Sequence, residues 1–274
     1  MPPASRRDRT RDRKPRTYDP AKTRKALVAQ VEAVTEAAHQ LTPEQRARHS
    51  GLPGWDVHAL LVHIALQIDA VPRLLGEPEA AARAPEVSLT RWALSTGTIA
   101  DRIDEQTLGE AERAGDGAAR IDEAVAQLEP VIEQAVREDL LIPHRFGAMR
   151  MHDFTVTRLV ELVVHSDDLA RAAGVRVGLD RVALATTVRL LADAFAAKAP
   201  GGAVEVRVPP YAVVQAVEGP RHTRGTPPNV VEADPLTWVR LATGRAEWTE
   251  LAGTAQLSAS GERADLSALL PVLG

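Results

Sequence analysis

The sequence predicts two architectures in succession: an antiparallel bundle of helices, then a small α+β domain. Two observations carry this. Between Pro20 and Gly174 the apolar residues recur at helical spacing, and the breaks between periodic stretches are short. Beyond Gly174 the pattern changes to one further helix and then short β-rich runs.

The elements follow in order. A first helix is expected over about 20–40, with Leu27, Val28, Val31 and Val34 on one face. Thr42-Pro43-Glu44-Gln45 reads as a capping box opening a short helix. Pro53-Gly54 breaks the chain, and Asp56 can cap a helix from Val57 to about Leu75. A third helix is expected over about 88–108, a loop at 109–117, and a fourth helix over about 118–139. Pro143–Gly147 reads as a loop. Asp153 is expected to open a strongly apolar helix that Gly174 ends. Next come a helix over about 180–198 and a stop at Pro200-Gly201-Gly202. Strand-like runs follow at 203–208, 211–217, 229–232 and 255–260, with a helical piece at 235–243 and a closing helix at 266–273. This divides the chain into a leader (1–18), a helical domain (19–175) and an α+β domain (176–274).

Composition narrows the function. The chain has 274 residues, 45% of them apolar, enough for a sizeable core. It has no cysteine, which excludes disulfides, thiolate metal sites and a cysteine nucleophile, so any thiol must come from a small molecule. Net charge is −4 and aromatics are 3%, which argues against nucleic-acid binding as the main role. No run of 18 apolar residues suggests a transmembrane segment, no secretory signal is recognisable, and a cytoplasmic protein is expected. Residues 1–25 carry ten Lys and Arg against three Asp, so this segment is +7 and the remainder −11. The first 18 residues have almost no apolar content and are expected to be a disordered, solvated basic leader.

The segment 153–173 holds the chemistry. It is apolar almost all round, as a buried helix is, yet Arg158, Glu161, His165 and Asp168 follow at steps of three, four and three and form one polar stripe. Burying these charges without partners costs several kcal/mol each. A divalent cation is one compensation, because Glu161 and His165 at i and i+4 can converge on a point, and zinc accepts both donor types. A third ligand must come from another helix. His152 lies 13 residues before His165, about 20 Å along the helix. His39, His49, His144 and His222 fall at helix ends or in loops. His58 and His63 point about 140° apart. His63 shares the apolar inner face with Ala59, Leu60 and Gln67, whereas His58 is expected to face water. An intrahelical hydrogen bond between Glu161 and His165 satisfies the same spacing, so spacing alone leaves both readings open.

Two motifs add to this reading. Gly54-Trp55-Asp56-Val57-His58-Ala59-Leu60-Leu61-Val62-His63 and Glu161-Leu162-Val163-Val164-His165-Ser166-Asp167-Asp168-Leu169 resemble the two signatures of the mycothiol-dependent maleylpyruvate isomerase family, within the DinB-like four-helix metal-binding bundles. Asp56 stands where the family usually has Thr or Ser, and the family's usual acidic residue after it is missing here. The resemblance implies a four-helix bundle, a divalent metal, typically zinc, on His63, Glu161 and His165, and mycothiol as thiol cosubstrate. Asp168 and Arg158 are then candidate catalytic residues, Asp168 orienting a ligand and Arg158 supporting Glu161. Their alternative is an ordinary salt-bridge role. Residues 229–245 resemble the bacterial sterol-carrier-like domain, which implies an apolar groove. The related C-terminal domain of the isomerase uses an arginine to hold anionic substrate or thiol cofactor, which makes Arg240 and Arg245 the cofactor-binding candidates.

The reading that emerges is a zinc-dependent thiol transferase or isomerase acting on a small electrophile. Its competitor is a non-enzymatic carrier of a lipid or other apolar ligand, with a vestigial metal site. No nucleic-acid partner is expected, and the oligomeric state is left open.

Overall fold

A computed structural model describes residues 15–220 and 227–273. Most of the basic leader, and His222, lie outside the described residues. In the part that is described, Arg16 pairs with Asp193 at 2.6 Å, and Tyr18 packs against the core.

The helical half starts with α1 (Pro20–His39), capped by the Asp19 carboxylate on the Lys22 amide. The short α2 (Pro43–Arg46) carries the expected capping box between Thr42 and Gln45. Asp56 caps α3 (Val57–Leu75). Here the expected third helix divides. Residues 88–108 form a short α4 (Leu89–Ala93), a 3₁₀ turn (Thr96–Ile99) and α5 (Ala100–Arg113), which runs past the expected end. Ser95, Thr96, Gly97 and Thr98 form the break, and three of them have hydroxyls that bond local carbonyls, an alternative to helix continuation. The next helix, α6 (Gly117–Leu128), is shorter than expected, because Pro130 turns the chain into 3₁₀ segments.

The expected loop at 143–147 is the tip of a hairpin. Strands β1 (Leu141–His144) and β2 (Gly147–Arg150) pair antiparallel, with His144 opposite Gly147. Gly147 has φ 124°, and a Cβ there would lie 2.8 Å from the Glu86 carboxylate, so the turn needs glycine. The hairpin also starts α7 (Met151–Ala173), two residues before the expected Asp153. The Met151 and His152 amides donate to the Leu140 and Arg137 carbonyls, so no side-chain cap is needed. Gly174 ends α7 in the left-handed conformation, as expected.

Helix α8 (Arg181–Lys198), capped by Asp180, packs on α1 and α7 on one side and on the C-terminal sheet on the other. That sheet contains β3 (Val204–Val208), β4 (Ala212–Ala216), β5 (Val230–Ala233) and β6 (Leu257–Ser260), in the order β4-β3-β5-β6. Between β5 and β6 lie α9 (Pro235–Ala242) and α10 (Trp248–Leu251). The β3–β5 pair is parallel and the others antiparallel. In β4 buried and exposed residues alternate, so its apolar face meets α8. The expected closing helix is a single 3₁₀ turn (Ser267–Leu269), cut short by Pro271.

The molecule is thus a helical half joined to a mixed half, with two small sheets. Helix α3 packs on α5, α6 and α7, and this contact positions the site. Among the described residues α3 is the one helix long and apolar enough to cross a membrane by length and composition. Most of it is buried inside the fold, as in a core helix.

Candidate metal centre

The centre forms where α3 faces α7. Helix α3 contributes His63 and α7 contributes Glu161 and His165. One donor atom from each of the three lies within 4.8 Å of the other two. The imidazoles of His63 and His165 meet edge to face, with ring centroids 4.7 Å apart. His165 Nε2 is 3.4 Å from Glu161 Oε2. Two ligands of a tetrahedral zinc, each about 2.1 Å from the ion, stand roughly 3.4 Å apart, so this pair has the spacing the ion requires. The two histidines are 3% and 5% exposed, and Glu161 opens onto a cavity of 490 Å³.

Each of the two histidines is held by a partner. His165 Nδ1 lies 3.0 Å from Asp168 Oδ2, which leaves Nε2 for coordination. Asp168 is 1% exposed and is itself held by Arg171 at 2.7 Å and Arg245 at 3.4 Å. His63 Nδ1 lies 3.0 Å from the buried Thr107 hydroxyl of α5, which leaves Nε2 as the nitrogen turned to the other two residues of the cluster. Gln67, one turn along α3, reaches that Nε2 at 2.9 Å. Arg158 donates to the Gln67 carbonyl oxygen, and its guanidinium lies 4.7 Å above the Phe154 ring.

The electrostatics suit a cation. Burial pushes the Glu161 carboxyl up, but the His165 hydrogen bond and the Arg158 charge more than offset this and hold it at about 2. Burial and the neighbouring His165 drive His63 well below its ordinary value, so its lone pair is free of a proton at neutral pH. Burial opposes charge on His165, yet hydrogen bonds to Asp168 and Glu161 raise it above its ordinary value. Burial likewise pushes Asp168 up, and His165, Arg245 and Arg171 hold it at about 2. An anionic carboxylate and two imidazoles is a donor set that zinc accepts.

The remaining sequence candidates divide. Arg245 lines the cavity, as does Arg158. Arg158 bears on Glu161 through its field while its donors go to Gln67 and Thr157. Asp168 lies behind His165 and outside the cavity lining, so the structure gives it a positioning place. Arg240 makes a two-bond ion pair with Asp167, at 2.8 and 2.7 Å, and joins α9 to α7 outside the cavity lining. His152 bonds Thr23 of α1 and takes no part. His58, expected to be wet, is half-buried at 3.1 Å from the Ala111 carbonyl.

Sequence reasoning missed Thr107, Arg73, His144 and Arg145, which also line the site. Gln67 had a usable signal, its i+4 spacing from His63. Thr107 had none, since its role depends on how α5 packs on α3.

Comparison with known proteins bears on the family and the fold. Residues 27–170 match the family model described as mycothiol maleylpyruvate isomerase N-terminal domain, and residues 180–272 match the one described as bacterial SCP ortholog. The crystal structure of the mycothiol-dependent maleylpyruvate isomerase superposes with a TM-score of 0.59 at 15% identity, covering 94% of this chain and 97% of that one. A histidine-to-alanine mutant of that isomerase gives 0.60 at 16% identity, with the same coverage. At these identities the likeness is one of fold. A search of curated proteins finds no match. The first family model spans more than half of the sequence, and on that ground the chain belongs to the mycothiol maleylpyruvate isomerase N-terminal domain family.

Proposed function

We propose that this chain is a zinc-dependent enzyme that uses mycothiol as a thiol cosubstrate on a small electrophile, as an isomerase or S-transferase. The observation that carries the reading is the His63, Glu161 and His165 cluster in the wall of a 490 Å³ cavity. The solved isomerase of the same fold is described as mycothiol-dependent, which supports the choice of thiol. We read the helical half as the four-helix bundle of that family, and residues 19–175 and 176–274 as its two domains.

His63, Glu161 and His165 would hold the cation as three protein ligands, the number found in catalytic rather than structural zinc sites. A cation there supplies one thing, a lowered pKa for a thiol bound to it. The rest falls to the chain. Asp168 keeps the His165 proton on Nδ1, so Nε2 stays a donor to the cation. Arg245, facing the cavity beside Asp168, is placed to hold an anionic group of the thiol or the electrophile. Apolar side chains, among them Trp92, Ile99 and Ile103, wall the cavity and limit water. The absence of cysteine fits a thiol brought from outside.

The test is metal content together with thiol binding. Purified protein should hold one zinc, His63→Ala and His165→Ala should each lose it, and mycothiol should bind the loaded form. Unchanged metal content in both variants would end the proposal. The carrier reading would take its place if native mass spectrometry found a lipid bound and no metal.

A further inference from the structure

The Gln67 side chain has a place that the metal reading does not use. Its carboxamide sits between two elements of the site, with Nε2 at 2.9 Å from His63 Nε2 and Oε1 accepting from Arg158. Arginine can only donate, so the amide orientation is forced: oxygen toward Arg158, N–H toward His63. The N–H therefore donates to the His63 Nε2 lone pair, the same lone pair that a cation would need. Thr107 at Nδ1 completes the ring's hydrogen bonding. Both His63 and Gln67 are buried, at 3% and 8% exposure, on the inner wall of the cavity.

We propose that Gln67 is a gate on the metal centre, a positioning residue whose amide occupies His63 Nε2 until a cation displaces it. The proposal rests on the metal reading above. The amide does two things in the metal-free protein. It prevents a buried lone pair from going unpaired, and it fixes His63 in the tautomer with hydrogen on Nδ1, so the ring is already set for coordination. Both follow from the Arg158 anchor, because a flipped amide would turn its oxygen toward Nε2 and select the opposite tautomer. The geometry also separates a gate from a fourth ligand. An amide coordinates through oxygen, and here the oxygen is held by Arg158.

The gate and the ligand make opposite predictions. The experiment measures zinc dissociation constants at pH 7.5 for the full chain and for Gln67→Met and Gln67→Ala, by competition with a chromophoric chelator. Gln67→Met keeps the volume and removes the amide, so it remains informative if the alanine variant packs poorly. A gate predicts binding tighter by about two- to tenfold in both variants, the range for losing one competing hydrogen bond. Equal or weaker binding in Gln67→Met overturns the proposal while leaving the metal reading intact. Zinc binding by none of the three proteins overturns both. Nitrogen-15 spectra of the metal-free protein add a readout that packing does not mimic: the His63 hydrogen should sit on Nδ1, and a hydrogen on Nε2 overturns the gate.

Discussion

Asp168 illustrates how one residue acts through another. It is buried and touches His165 Nδ1, Arg171 and Arg245, so its negative charge is compensated from three sides. Losing such a carboxylate behind a metal-binding histidine typically costs about 10–100-fold in affinity. Asp168→Asn should therefore weaken zinc binding by that factor, and chelator competition checks it. The same residue shapes the pH response. A carboxyl held at about 2 stabilises the fold fully above its ordinary range, about pH 4, and the contribution is lost as pH falls through 2. Glu161 has the same sign. Buried neutral His63 also has it, since the unfolded chain takes up a proton that the folded ring refuses. His165 has the opposite sign: its contribution is full below the ordinary histidine value and lost as pH rises through the raised one. Between pH 4 and 2 the Asp168 and Glu161 contributions are lost. Melting temperatures of metal-free protein should fall across that window, and Asp168→Asn should show the shallower fall. Parallel curves would remove Asp168 from the account.

At the scale of elements, the site depends on how closely α3 is approached. Gly117 opens α6, and a Cβ there would lie 2.8 Å from Leu61 Cβ on α3, an atom fixed to the helix and unable to yield. Gly117→Ala should therefore separate α6 from α3 and cost about 1–3 kcal/mol, measured by denaturant unfolding. Gly147→Ala meets both a positive φ and the Glu86 carboxylate, and should distort the hairpin that carries His144 and Arg145 to the cavity. The sequence made α1, α3, α7 and α8 legible, because each has a side-chain cap or a glycine stop beside a strong apolar period. The hairpin was not legible. Its strands are four residues each, and Pro143 and Gly147 look like loop residues when their pairing is unknown. The division of 88–108 was hidden for a similar reason, since Ser95 and Thr98 bend the chain through hydroxyl bonds that no periodicity reveals. The ligand trio was readable from two helix faces, whereas the pieces that complete the site came from elements whose packing the pattern does not encode.

The molecule as a whole is tied together at α7. Helix α7 serves the centre through Glu161 and His165, and its next residues, Asp167 and Asp168, serve the junction. Arg240 and Arg245, both from the mixed half, reach those two aspartates. Docking of that half thus bears on the aspartate that orients His165. The two arginines should separate experimentally. Arg240→Ala leaves Asp167 with Arg171 at 3.2 Å, so it should cost about 2 kcal/mol of stability and leave zinc affinity within about threefold. Arg245→Ala removes a cavity-facing charge and a partner of Asp168, so it should weaken binding of the thiol cosubstrate.

The central claim is that side chains from α3 and α7 share one cation. It is tested most directly by an anomalous difference map at the zinc absorption edge, from crystals grown with the metal. The account predicts one strong peak within bonding distance of His63 Nε2, His165 Nε2 and a Glu161 carboxylate oxygen. A map without density between these residues, or with its peak bound elsewhere, would contradict it.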